Sequence, residues 1–193
     1  MVPAHDISRR AVMAALAGVS MGAAVGAAPS STTVVAFFSR SGNTRVVAGL
    51  IQRATQADLF EIKPRSAYPE EYLETVRQAS EERDRSLEPP LAGRIADLQK
   101  YQTVYLGFPI WGETTPAVIR SFLKEHDLSR KTVIPFITHG GYGLGKSQSV
   151  LASHAPRADL RPPFQMQADQ ERQTMNTVHS WLDANQRTTR SRS

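Results

Sequence analysis

The sequence predicts an α/β fold: a doubly wound parallel sheet of five strands in the order 2-1-3-4-5, with helices on both faces. Three observations carry this. Beyond residue 31 the runs 33–38, 103–110 and 132–138 are continuously apolar rather than alternating, as a sheet covered on both faces requires. Segments with apolar residues at helical spacing separate these runs. Glycines, hydroxyls and a tryptophan gather just after the first, third and fourth strands, where this strand order opens its ligand crevice.

The elements follow in chain order. "TVVAFF" (33–38) is β-branched and aromatic, and too short to stand as a helix. From Thr44, residues Val46, Val47, Leu50, Ile51 and Ala54 recur at helical spacing. "ADLFEI" (57–62) is the second strand and stops at a Lys-Pro break. In "YPEEYLETVRQAS" the residues Tyr72, Leu73, Val76 and Ala79 share one face and are expected in the core. "TVYLGFPI" (103–110) is the third strand, and Pro116 opens a helix that carries Val118, Ile119, Phe122 and Leu123. "TVIPFIT" (132–138) is the fourth strand, and a helix begins near Gly145. "ADLRPPF" makes a poor fifth strand, because Pro162 and Pro163 confine it to an edge. A last helix over 169–185 buries Met175, Val178 and Leu182.

Both ends differ from this pattern. Residues 1–27 hold Arg9 and Arg10, an apolar run over 11–25 rich in alanine, and small residues before Ala28. That is the layout of an export signal of the twin-arginine type, with a periplasmic destination. The run is too short and too rich in Ala and Gly for a stable membrane span. Residues 31–185 form the domain, and 186–193 a basic, disordered tail. Most of the net charge of +5 comes from these ends. Of 23 basic and 18 acidic residues, Arg9, Arg10, Arg187, Arg190, Arg192 and Asp6 lie there, which leaves 18 against 17 between them. A domain so nearly neutral argues against a nucleic-acid partner. With no cysteine, the chain has no disulfide, no thiolate metal site and no cysteine nucleophile, and no metal is expected. An oligomer is compatible with the sequence.

Three loops hold the candidate site. "SRSGNT" supplies Ser39, Arg40, Ser41, Gly42, Asn43 and Thr44 at a helix N-terminus. Unpaired N–H groups and the helix dipole favour an anion there, and the hydroxyls suit a phosphate monoester. After the third strand come Pro109, Ile110, Trp111 and Gly112, where the tryptophan offers a stacking face for a planar ligand. After the fourth come Thr138, His139, Gly140, Gly141, Tyr142 and Gly143, whose glycines allow close backbone approach. His139 is the candidate proton or hydrogen-bond donor, with strand-end capping as its plainer role. The same stretch, 140–147, also satisfies G-x-x-x-x-G-K-[ST], so a P-loop nucleotide hydrolase stands as an alternative.

"FFSRSGNT", "YPEEY", "TVYLGFPIW" and "FLKEHDLSRKTVIPFITHGGYGLGKS" together resemble the bacterial flavodoxin-like FMN-binding family over roughly residues 33–182. The resemblance implies FMN phosphate at 39–44 (through the backbone at Arg40) and the isoalloxazine ring between 109–112 and 138–143. Family members often carry a second Trp where this chain has Gly112, and Ser where it has Tyr142. The implied function is electron transfer, or nicotinamide-driven reduction of a small acceptor such as a quinone. A module that has lost its flavin is the other alternative. Near-neutrality and export both disfavour an ordinary, strongly acidic flavodoxin carrier.

Overall fold

The computed structural model describes residues 31–168. The expected signal over 1–27, the helix expected over 169–185 and the tail over 186–193 lie outside the described residues.

Among the described residues strands and helices alternate as predicted through the fourth helix, and two short strands follow. In chain order these strands and helices are β1 (Thr33–Phe37), α1 (Asn43–Thr55), β2 (Asp58–Glu61), α2 (Tyr72–Asp84), β3 (Thr103–Pro109), α3 (Ala117–Glu125), β4 (Thr132–His139), α4 (Ser147–His154), β5 (Asp159–Leu160) and β6 (Phe164–Gln167). The strand order is β2-β1-β3-β4-β5, every pairing is parallel, and β6 also pairs with β4. The expected fifth strand is thus one edge strand in two pieces. Pro162 and Pro163 cannot donate to the ladder, so pairing stops after Leu160 opposite Val133 and resumes at Phe164 opposite Phe136.

Two apolar layers enclose the sheet. On one face Val34, Ala36, Val104, Leu106 and Phe108 pack with Val118, Ile119 and Phe122 of α3 and Leu151 of α4. On the other, Val35, Phe37 and Phe136 meet Val47 and Ala48 of α1. α3 behaves as its pattern predicts. α1 does so in part, since Val46 and Leu50 point outward and are 65% and 56% exposed. α2 departs from expectation. Leu73 and Val76 are 61% and 42% exposed, and the helix buries Thr75 and Glu82 instead. The reason lies in what its apolar stripe faces, which is the cleft described below.

One buried histidine ties two loops to the core. His126 donates from Nδ1 to the Phe122 carbonyl (2.9 Å) and accepts the Ile95 N–H at Nε2 (3.0 Å), with its ring stacked on Phe122. Burial is the main cause that holds its pKa below the ordinary 6.5. The unfolded chain therefore takes up a proton on His126 at a pH where the folded chain does not. Stability is full above about 6.5 and falls as pH drops toward the folded pKa. Chemical unfolding of wild type between about pH 7 and 5.5 is expected to show this loss, and His126→Gln to flatten it. An unchanged slope in the variant would assign the acid sensitivity elsewhere.

Candidate functional site

The C-terminal ends of β1, β3 and β4 and the exposed face of α2 surround one cleft of about 780 Å³. That is the size of a small-molecule site, which spans roughly 300–1,000 Å³. Of the residues singled out in the sequence, Arg40, Ser41, Asn43, Pro109, Ile110, Trp111, Gly112, Thr138, His139, Gly140 and Tyr142 line it. Ser39, Gly42, Thr44, Gly141 and Gly143 do not line it.

At one end is the turn into α1. Gly42 has φ +95, a left-handed conformation that costs glycine nothing, and it opens the helix with no side-chain cap. The Gly42 N–H donates to Ser39 Oγ (3.1 Å), so this hydroxyl folds the turn. The Arg40 guanidinium leaves the loop, donating to Thr75 Oγ1 (3.1 Å) and to the Glu70 carbonyl. It binds the loop to the start of α2. Thr44 is buried, with its hydroxyl 2.8 Å from that of Thr138. This pair joins the first loop to the third through the interior.

At the other end, Trp111 and Thr114 exchange backbone hydrogen bonds (3.1 and 3.2 Å) across Gly112 and Glu113. Both central residues have positive φ, +55 and +62, the pattern of a type I′ turn. Trp111 is fixed edge-on by two rings. Phe38 lies 5.2 Å away at 83° and Tyr68 4.8 Å away at 86°. Tyr68 in turn donates from its hydroxyl to the buried Glu82 (2.8 Å), whose other oxygen accepts from Gln78 (2.8 Å). Burial, then the Glu82 hydrogen bond, pushes the Tyr68 phenol far above its ordinary range, so it stays a donor. Tyr68 lies under Trp111 rather than over the cleft. Of these two tyrosines, Tyr72 is the one that lines the cleft.

The third loop closes the cleft. The Ile110 N–H donates to the Thr138 carbonyl (2.8 Å), and the Gly141 N–H donates to His139 Nδ1 (3.2 Å). With Nδ1 accepting, neutral His139 carries its proton on Nε2. Gly145 is left-handed (φ +51), and the following Lys146 N–H donates to the Glu113 carbonyl (2.8 Å). Ser147 is fully buried and its hydroxyl donates to the Leu144 carbonyl (2.7 Å). The G-x-x-x-x-G-K-[ST] match is therefore no phosphate cradle. Its lysine amide joins two loops and its serine hydroxyl, which in a P-loop meets the metal, caps a turn.

The sequence reading missed one wall. Tyr72, Val76, Ala79 and Arg83 of α2 line the cleft. Their spacing was visible, but a helical stripe that ends in an arginine reads the same whether it faces core or ligand. Among the described residues no group of His, Asp and Glu is placed to hold a metal. No helix among them is long and apolar enough to cross a membrane.

A family model described as Flavodoxin matches residues 32–185. The chain belongs to the flavodoxin family. Solved structures agree with this. A candidate flavoprotein of Bacteroides eggerthii is 28% identical, with 79% of this chain and 96% of that one covered and a TM-score of 0.65. One of Bacteroides uniformis is also 28% identical, with 80% and 99% covered and a TM-score of 0.66. A flavoprotein of Lactobacillus acidophilus solved with FMN shares the fold at 20% identity, with 69% and 91% covered and a TM-score of 0.62. No curated protein matches. The family cofactor is FMN, and the cleft of this flavodoxin fits it. A helix N-terminus with Ser41 and Asn43 suits the phosphate, and Trp111 and the glycine loop bound the space for a planar ring.

Proposed function

We propose that this flavodoxin is an exported FMN-dependent redox protein that passes electrons to a small acceptor of the quinone kind. The observation that carries the reading is the convergence of the first, second and third loops on one cleft. An anion site stands at one end and an immobilised aromatic ring at the other. Bound FMN supplies the redox chemistry, and the protein supplies binding, orientation and access.

Ser41, Asn43 and the first turn of α1 hold the phosphate end. Trp111, locked by Phe38 and Tyr68, and the loop from Thr138 bracket the ring. His139 Nε2–H offers one donor at the ring loop. Between the two ends of the chain, basic and acidic residues balance at 18 and 17, which suits a small diffusing acceptor better than docking on a basic redox protein. Arg9, Arg10 and the apolar run direct the chain to the periplasm, with cleavage after Ala27.

The test is made on protein recovered from the exported fraction, whose N-terminus is expected at Ala28. Titration with FMN, followed by visible absorbance, should give flavin bands that co-elute with the protein. Ser41→Leu should weaken retention by about tenfold or more, the worth of a lost charge-assisted bond. Protein that leaves added FMN free in solution sinks the proposal. An unmoved affinity in Ser41→Leu removes the phosphate from this loop.

A further inference from the structure

We propose that Arg83 makes the open end of the cleft a recognition site for an anionic small molecule, a carboxylate or sulfonate that exchanges electrons with the protein. This rests on the redox reading above and adds the charge of the substrate to it.

Tyr72, Val76, Ala79 and Arg83 fall at spacings of four, three and four along one face of α2. That face runs the length of the cleft. Its first turns are tied to the phosphate loop, where Arg40 bonds Thr75 and the Glu70 carbonyl. Its last turn reaches the Trp111–Thr114 turn. Thr75 and Arg83 are eight residues apart, or about 12 Å along the helix at 1.5 Å per residue. The Arg83 guanidinium is thus remote from the α1 N-terminus and is not needed for the cofactor phosphate.

Its seat is built into the backbone. A Cβ on Gly112 would lie 2.1 Å from Arg83 Nη1. Gly112 also has φ +55, which side chains resist. The missing side chain at 112 is what lets the guanidinium rest on the turn beside Trp111. Arg83 Nε donates to Asp84 (3.0 Å), while Nη1 and Nη2 make no hydrogen bond among the described residues. Arg83 lines the cleft, and its two terminal nitrogens are the pair a guanidinium offers to two oxygens of one carboxylate or sulfonate. Asp84 already takes Nε, so selection falls on an anion that can take both terminal nitrogens at once.

The experiment uses FMN-loaded protein and two probes that differ only in charge: a naphthoquinone bearing one sulfonate and its uncharged parent. Equilibrium binding of each is measured by quenching of protein fluorescence, and FMN retention is recorded on the same samples. Arg83→Gln should weaken the sulfonated probe by about tenfold or more and shift the neutral one by less than about twofold, with Arg83→Lys in between because it keeps charge without the fork. Equal changes for both probes, or none, overturn the proposal. So does a loss of FMN affinity in Arg83→Gln, which would make Arg83 a cofactor contact. If wild type retains no FMN, the redox reading fails, and the same titrations on the bare protein still decide whether Arg83 selects an anion.

Discussion

Gly145→Ala is expected to lower stability by about 2–5 kcal/mol and to weaken FMN binding, because it adds left-handed strain to a clash with backbone. The residue sits at φ +51. A Cβ there would lie 2.0 Å from the Glu113 carbonyl oxygen, 2.6 Å from its carbon and 3.0 Å from its Cα. None of these atoms can swing aside. They belong to the turn that carries Trp111, and Lys146 N–H bonds the same oxygen at 2.8 Å. Pushing the loops apart therefore moves two walls of the cleft together. Gly143 supplies the control. It too is left-handed, at φ +68, but a Cβ there meets nothing within 4 Å. Gly143→Ala should cost only conformational strain, about 1–2 kcal/mol. Urea unfolding and FMN titration of the two variants give the comparison. Equal losses in both would mean that the contact between the loops does not hold the site.

The parallel sheet was legible because β1, β3 and β4 are apolar on both faces, a demand few other architectures make. The edge was legible in part. Pro162 and Pro163 marked it, yet whether pairing resumes beyond them depends on β4 offering four more residues, which no local pattern reports. Helix faces fared unevenly for a physical reason. In α3 the apolar residues form one stripe and only one surface is available to it. In α2 the stripe of Tyr72, Val76 and Ala79 is as clear, but it faces a cleft that exists only once three distant loops meet.

The site followed the same division. Loops that carry their chemistry in consecutive residues could be read directly: Ser41 and Asn43, Pro109 to Gly112, Thr138 to Gly140 and Tyr142 line the cleft. Thr44 was read as a phosphate-loop hydroxyl, and its contact with Thr138, 94 residues away, is one that no local pattern reports. The same holds for the lock on Trp111, which needs Phe38, Tyr68 and Glu82 from separate elements. The P-loop alternative fails because a motif records which residues are present and not where their donors are spent. Here the decisive facts were the carbonyls of Glu113 and Leu144.

The glycine in the middle of β3 ties the core to that site. Gly107 lies beside Phe136 of β4 in register, and a Cβ on it would fall 2.0 Å from Cζ and 2.1 Å from Cε2 of that ring. The ring covers the space a side chain would take, so the pair is one packing unit shared across two strands. Gly107→Ala is expected to cost about 1–3 kcal/mol by overpacking. Phe136→Leu alone should also destabilise, by a cavity of similar worth, since Phe136 is 1% exposed. Combined, each change relieves the other. The double variant should be more stable than the sum of the singles predicts by about 1 kcal/mol or more, whereas distant residues add. Additive losses in chemical unfolding would show that the ring adapts without the glycine. Two residues beyond this pair stand Pro109 and Thr138, the first cleft residues of their loops. FMN affinity should therefore fall in Gly107→Ala and recover in the double variant, although neither residue lines the cleft.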